Sequence, residues 1–118
     1  MMTKEEHLLV ILMEEAAEIQ HIASKCLRFG MLNSYGEGHP TNHFRLIGEL
    51  LDMKAVVQML EEHGTITLPH VGERGNAIEF AVETKKRKVE DYMKVSQVEN
   101  CLEDDVLTTR DRKFACVY

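Results

Sequence analysis

Residues 13–18, Met-Glu-Glu-Ala-Ala-Glu, place three acidic side chains within two turns of a helix. At about 100° per residue, Glu15 falls in the middle of an apolar helix face, and Glu14 and Glu18 lie at its border. An ionised carboxylate in an apolar interface has to be paired, hydrogen-bonded, protonated or bound to a cation. Glu15 therefore needs a partner. The apolar residues that flank it on this face are Leu8, Ile11, Ile19, Ile22 and Cys26.

A second pair of acids, Glu49 and Asp52, has the same spacing of three residues as Glu15 and Glu18. On a helical wheel, Glu49 falls between the apolar residues of its own helix, and Asp52 lies one turn further along. If the two helices pack together, their four carboxylates converge, and only cations can hold such a group of negative charges together. The two pairs therefore predict a divalent-metal site between the first and second helices.

Length, composition and charge indicate one soluble globular domain. A chain of 118 residues has a core that is adequate for folding but small enough for oligomerisation to add stability. The net charge of -6 argues against binding to a nucleic-acid polymer, which needs Lys and Arg clustered on one face. A nucleotide bound through metal ions is compatible with that charge.

The cysteines and the N-terminal region favour a cytoplasmic protein without a membrane partner. Cys26, Cys101 and Cys116 are odd in number and form no CxxC pair, which is typical of reduced thiols. The apolar run of residues 8–13 is too short for a signal peptide or a membrane span. We therefore expect a soluble protein in the cytosol.

Hydrophobic periodicity and capping signals predict an all-α fold. Thr3, with Glu6 three residues later, is typical of a helix start, and Gly30 is typical of a helix end. Thr41 or Asn42 is expected to cap the second helix. The predicted elements are helix one at residues 3–29, a surface loop at 30–41, helix two at about 42–63, a connection at 65–75 and helix three at about 76–95.

These elements predict a bundle of three to four main helices in a domain of residues 1–95. Residues 96–118 form a C-terminal tail in which a short helix is expected. The first two helices have wider apolar arcs than one partner helix can cover, and Leu46, Leu50 and Val57 extend the arc of the second. Self-association would bury this surface, so we predict a bundle completed by oligomerisation, as a homodimer or homotetramer.

The ordered set of motifs resembles a known enzyme family. Residues 14–18, followed after a loop by residues 49–52, look like the ExxE and ExxD signature of the all-α, MazG-like nucleoside triphosphate pyrophosphohydrolases. The resemblance covers most of residues 5–95. The further segments that are similar to the small, single-domain members of phage and bacterial genomes are residues 24–30, 42–46 and 85–89.

The resemblance implies hydrolysis of a ribo- or deoxyribonucleoside triphosphate to a monophosphate and pyrophosphate, in the house-cleaning of nucleotide pools. The implied cofactor is Mg²⁺, with Mn²⁺ as a substitute, since hard cations bind carboxylate and phosphate oxygens. The metal would polarise the phosphoryl group and lower the pKa of an attacking water. The metal ligands that the resemblance implies are Glu15, Glu18, Glu49 and Asp52.

Catalytic and substrate-binding residues are implied in the same way. Glu14 is the candidate to orient or deprotonate the attacking water, beside Glu15 as the second catalytic residue. The phosphates need cationic donors where their negative charge accumulates. The candidates for that role are Lys25, Arg28, Lys85 and Lys88.

The chain also departs from the family pattern. The interval between its two acid pairs is longer than the family's, and it has no tryptophan to stack on a base. Stacking would use Phe29, Tyr35, Phe44 or a histidine, so the preference for base and sugar is open.

Two other functions are compatible with the acidic residues. Glu18 and His21 have the ExxH spacing of carboxylate-bridged di-iron bundles. However, Ala55 stands where a histidine would continue that pattern in helix two, and His21 projects away from Glu15. The other alternative is an acidic helical adaptor without catalytic activity, whose carboxylates pair with Lys and Arg of a partner. Metal-dependent release of pyrophosphate would distinguish the enzyme from the adaptor.

Overall fold

The computed structural model describes residues 1–69 and 77–99, and this part of the chain is all-helical. Helix α1 spans Lys4–Phe29, α2 spans Asn42–Glu62 and α3 spans Ala77–Val98. The described residues contain no β-strand, which confirms the predicted all-α class. None of the three helices is both long enough and apolar enough to cross a membrane.

Helix α1 begins and ends at the residues that the sequence predicts. Thr3 and Glu6 form a capping box, in which the Thr3 side chain accepts from the Glu6 N–H at 3.1 Å and the Glu6 carboxylate accepts from the Thr3 N–H at 2.8 Å. At the other end, Gly30 has a φ of 93°, a conformation that only glycine adopts without strain. Its N–H donates to the Cys26 carbonyl at 2.9 Å. The chain therefore leaves the helix after Phe29.

Helix α2 is bounded in a similar way. Thr41 is its N-cap, and the Thr41 hydroxyl accepts from the Phe44 N–H at 3.3 Å. The helix ends at Glu62, and Gly64 follows with a φ of 84°. The predicted second helix is confirmed, and its cap is Thr41 rather than Asn42.

Helices α1 and α2 pack against each other and form an apolar core between them. Leu8, near the start of α1, clusters with Val56 and Leu60, near the end of α2. At the opposite end of the pair, the Cys26 thiol lies 3.8 Å from the Asn42 carbonyl oxygen. The two helices therefore run antiparallel, with an apolar cluster at one end and the loop of residues 30–41 at the other.

Asn42 connects the end of α1 to the start of α2. It is a buried polar residue, with 4% of its surface exposed. Its side-chain amide donates to the Gly30 carbonyl at 3.0 Å and to the Lys25 carbonyl at 3.5 Å, and its own N–H donates to the Asn33 carbonyl at 2.8 Å. These bonds connect the last turn of α1 and the loop that follows it to the first turn of α2.

The described residues fall into two compact units. Residues 1–67 contain α1 and α2, and residues 68–69 and 77–99 contain α3. Helix α3 continues to Val98, three residues beyond the predicted end of helix three. Most of the predicted tail, with its expected short helix, lies outside the described residues, as do Cys101 and Cys116. The predicted domain boundary after residue 95 stays a prediction.

We expect Asn42→Ala to lower the free energy of unfolding by about 1–3 kcal/mol, because it removes the hydrogen bonds that a buried side chain makes to two partly buried carbonyl groups. Urea denaturation followed by circular dichroism measures this change. The matched control is Gln58→Ala, which truncates an exposed amide on the same helix and should change stability by less than about 0.5 kcal/mol. Equal effects of the two substitutions would show that Asn42 does not hold the helix ends together.

Candidate metal centre

Three carboxylates meet between α1 and α2. Glu15 of α1 and Glu49 and Asp52 of α2 each offer one oxygen atom, and these atoms lie within 4.8 Å of one another. Glu15 and Glu49 are partly buried, and Asp52 is exposed. The structure therefore brings together three of the four residues predicted as metal ligands.

The helical repeat places these acids in the interface. Glu15 lies seven residues after Leu8 and seven before Ile22, and both of these apolar residues are buried. Glu49 likewise lies seven residues before the buried Val56. Because seven residues make nearly two full turns, each glutamate shares a helix face with core side chains. The two helices cannot bury their apolar residues without bringing the acids together.

This arrangement raises the pKa of two carboxyl groups. The pKa of Glu15 lies above its usual 4.5, first because of desolvation and then because of the negative charges of Asp52, Glu18 and Glu14. The pKa of Glu49 is raised by desolvation, then by Glu18, Asp52 and Glu15, and by a hydrogen bond with Glu18. Both shifts mean that the ionised group is destabilised at its position.

The residues present fit a divalent cation. The Oε2 atom of Glu15 is buried and accepts no hydrogen bond from the described residues. Within this part of the chain, no Lys or Arg side chain forms an ion pair with Glu15, Glu49 or Asp52. The group consists of carboxylate oxygens alone, with no histidine or cysteine, which suits hard cations such as Mg²⁺ and Mn²⁺. A bound cation would satisfy the unpaired oxygen and offset the repulsion.

Two other predicted acids lie beside this group. Glu18 is the fourth predicted ligand, and it lies next to the group, close enough for its charge to raise the pKa of Glu49. Glu14, the predicted base, is exposed and close enough to Glu15 for its charge to raise the pKa of that residue. Both residues therefore border the site. His21, which has the ExxH spacing, is not part of the group.

The four predicted phosphate-binding residues are divided between the two compact units. The Lys25 ammonium donates to the Tyr35 hydroxyl, away from the acids. The Arg28 guanidinium lies 4.7 Å from the centroid of the Phe29 ring. Lys85 and Lys88 are exposed on α3, which belongs to the other compact unit. Their roles stay predictions.

Arg45 is not among the residues predicted from the sequence to bind phosphate. In the structure this residue lies near Lys25 and lines a cavity at the loop end of the α1–α2 pair. Arg45 precedes Glu49 by four residues, and residues at this spacing are neighbours on a helix surface. A search for cations one turn from each acid could therefore have found it.

Comparisons with known proteins identify no relative: no family model, no curated protein and no solved structure matches this chain. The MazG-like resemblance therefore rests on its motif residues alone.

We expect Glu15→Gln to stabilise the metal-free protein at neutral pH, because it removes a charge that the folded state destabilises. When the pKa of a carboxyl group is higher in the folded state than in the unfolded state, the protein loses stability as the pH rises from the unfolded pKa to the folded pKa. Above both pKa values the whole loss of stability is present. The advantage of the variant should therefore shrink as the pH falls toward 4.5. Urea unfolding in the presence of a chelator, at several pH values, measures this difference.

The control for this measurement is Glu37→Gln, which neutralises an exposed carboxylate of the loop and should not reproduce the effect. Addition of Mg²⁺ should stabilise the wild type more than Glu15→Gln. If Glu15→Gln is less stable than the wild type in chelator at neutral pH, the carboxylate has a stabilising partner and the metal centre is disproved.

Proposed function

We propose that this protein is a metal-dependent nucleoside triphosphate pyrophosphohydrolase of the MazG-like type. One observation supports the metal: three carboxylates converge from two helices with a buried oxygen that has no partner in the described residues. The substrate comes from the resemblance of the ExxE and ExxD motifs to that family. The net charge of -6 favours a small substrate bound through cations over a nucleic-acid polymer.

Glu15, Glu49 and Asp52 would hold the cation, Mg²⁺ or Mn²⁺. Glu18, whose charge acts on Glu49, would offer a fourth carboxylate at the edge of the group. When bound, the cation supplies positive charge that offsets the charge of the triphosphate and favours attack by water. The charge of the cation also removes the repulsion that raises the pKa values of Glu15 and Glu49.

The proposed reaction needs one group that accepts a proton. The oxygen of water forms a bond to the α-phosphorus, the bond between the α-phosphorus and the bridging oxygen breaks, and pyrophosphate leaves. We assign the water's proton to the Glu14 carboxylate, which borders the acidic group. Because Glu14 is exposed, it can pass that proton to the solvent.

Cationic residues are proposed to bind the phosphates beyond the metal. Lys25 and Arg28 follow Glu18 along α1 by seven and ten residues, which corresponds to about 10–15 Å. Lys25 and Arg28 would therefore bind the part of the substrate that lies furthest from the acids. Lys85 and Lys88 are three residues apart on one face of α3, and we assign them to the site of a second subunit.

A second subunit is proposed because the α1–α2 pair exposes apolar side chains in a regular pattern. Phe44, Ile47 and Leu51 are exposed and have the i, i+3, i+7 spacing of one helix face. On α1, Leu9 and Met13 are exposed one turn apart. Association in a closed homodimer or homotetramer would bury these faces.

We expect Glu49→Gln to lower kcat by about 100-fold or more while the helical content is unchanged, because it keeps the shape of a ligand and removes its charge. The assay measures pyrophosphate release from the common ribo- and deoxyribonucleoside triphosphates, with and without Mg²⁺. The control is Glu62→Gln, which neutralises an exposed carboxylate on the same helix.

The thermal midpoint provides a second measurement. Mg²⁺ and Mn²⁺ should raise the midpoint of the wild type and of Glu62→Gln, but not that of Glu49→Gln. If no nucleotide releases pyrophosphate and neither cation changes the midpoint, the protein is not this enzyme, and the acidic adaptor becomes the better proposal.

We expect light scattering to give the mass of a dimer or tetramer at micromolar concentration, and Leu51→Gln to weaken the association by about 10-fold or more, since burial of one leucine contributes about 1.5–3 kcal/mol. The control is Leu32→Gln, which changes an exposed leucine of the loop. A wild-type monomer that is fully active would contradict the proposed assembly.

A further inference from the structure

A second polar site lies at the loop end of the α1–α2 pair. A cavity of about 200 Å³ is lined by Lys25 and Phe29 of α1, Tyr35 of the loop, and Asn42 and Arg45 of α2. Its residues are separate from the acidic group: Lys25 follows Glu15 by ten residues, or about 15 Å along α1, and Arg45 precedes Glu49 by four residues, or about 6 Å along α2. The cavity belongs entirely to residues 1–67.

Two cations converge on one side chain in this cavity. The Tyr35 hydroxyl accepts a hydrogen bond from the Lys25 ammonium, and the Arg45 guanidinium lies close enough to favour the ionised form of the same hydroxyl. The Lys25 nitrogen and the Arg45 guanidinium carbon lie 4.9 Å and 5.0 Å from the centroid of the Tyr35 ring. Neither cation forms an ion pair with a carboxylate of residues 1–69 or 77–99. Two positive charges therefore lie against one tyrosine, in a protein whose net charge is negative.

The electrostatic state of Tyr35 agrees with this geometry. The hydrogen bonds from Lys25 and then Arg45, with the positive charges of both residues, hold the pKa of the Tyr35 hydroxyl below its usual 10.0. The same surroundings that favour a phenolate favour any other anion at this position. The cavity is therefore electrically suited to a negatively charged ligand.

The cations are the groups that would bind such a ligand, since the start of α2 has no N–H group to spare. The N–H of Asn42 donates to Asn33, that of His43 to Met31 at 2.8 Å, and that of Phe44 to the Thr41 hydroxyl. The backbone N–H groups at the start of α2 are therefore not available to bind an anion. Binding would depend on the charged side chains of Lys25 and Arg45.

The backbone around the cavity is held in place by hydrogen bonds, and the cavity is large enough for a phosphate group. Buried hydrogen bonds of Asn42 connect the α1 end to the α2 start, so the backbone positions of Lys25 and Arg45 are set before a ligand arrives. One water molecule needs about 10–15 Å³ of such space, and the cavity has about 200 Å³. A phosphate group fits together with part of the molecule that carries it.

We propose that this cavity binds a phosphate-class oxyanion through Lys25 and Arg45, without a metal ion. Arginine suits this role because its planar guanidinium group donates two parallel hydrogen bonds to phosphate oxygens, while lysine contributes a point charge. The phosphate is either a free inorganic ion or a phosphate group of a nucleotide. Binding here does not require the acidic group, so it can be tested apart from hydrolysis.

The test is calorimetric titration of orthophosphate into the full chain in the presence of a chelator, with ionic strength matched by chloride. We expect saturable binding that Arg45→Gln and Lys25→Gln each weaken by about 10-fold or more. The matched controls are Arg87→Gln and Lys54→Gln, which remove exposed charges outside the cavity and should change the Kd by less than about twofold. Glu49→Gln removes a negative charge one turn from Arg45 and should therefore bind orthophosphate at least as tightly as the wild type.

The results that would overturn the proposal are no saturable binding, a strict requirement for Mg²⁺, or equal weakening by the controls and the cavity variants. If circular dichroism shows that Arg45→Gln has lost helical content, Arg45→Lys is used instead. This variant keeps the charge and should bind orthophosphate with intermediate affinity. Bound phosphate should also raise the pKa of Tyr35, as measured by the tyrosinate absorbance that Tyr35→Phe lacks.

A parallel titration with a nucleoside monophosphate distinguishes the two sources of the ligand. Affinity equal to that of orthophosphate means that the cavity recognises the phosphate alone and takes the free ion. Affinity that is about 10-fold higher means that the organic part also binds, and that the cavity is a subsite for a nucleotide.

Discussion

The seven-residue spacing of the acids and the core residues is the constraint on which the α1–α2 pair depends. Leu8, Glu15 and Ile22 share one face of α1, and Glu49 shares a face of α2 with Val56. Burial of the apolar members therefore forces the glutamates toward each other. The folded pair has to accept partly desolvated carboxylates, whose raised pKa values show that they are destabilised. A centre that lowers stability until it binds a cation is typical of functional sites.

The regions on either side of the acids offset the destabilisation that the partly desolvated carboxylates cause. On one side, Leu8 and Leu60 form the apolar cluster, with 3% and 1% of their surfaces exposed. On the other, the Asn42 side chain satisfies carbonyl groups at the end of α1. The pair is thus stabilised at both ends and destabilised in the middle. Rigid support on both sides keeps the positions of Glu15 and Glu49 fixed, which is what a metal centre requires.

Local signals were sufficient to predict the helices, and periodicity was sufficient to predict the convergence of the acids. The capping box at Thr3 and the glycine at position 30 act within one helical turn, so they can be read directly from the sequence. The cavity around Arg45 and Tyr35 could not be predicted in this way. It depends on the path of the loop of residues 30–41, which is set by hydrogen bonds between residues distant in sequence. The placement of Glu18 beside the group rather than in it is likewise a matter of side-chain packing.

The separation of opposite charges along the α1–α2 pair affects how a phosphorylated ligand would bind. Lys25 lies about 15 Å along α1 from Glu15, but Arg45 lies only about 6 Å along α2 from Glu49, and a pair of unit charges at about 6 Å repels by about 0.7 kcal/mol in water. The shorter distance is within the Debye length of about 8 Å at physiological ionic strength, so salt weakens this repulsion only in part. The same anion in contact with Glu15 or Asp52 would be strongly repelled unless a cation lay between them. An anion in the proposed cavity would therefore be repelled only weakly by the ionised acids, and a cation bound between Glu15, Glu49 and Asp52 would offset that repulsion.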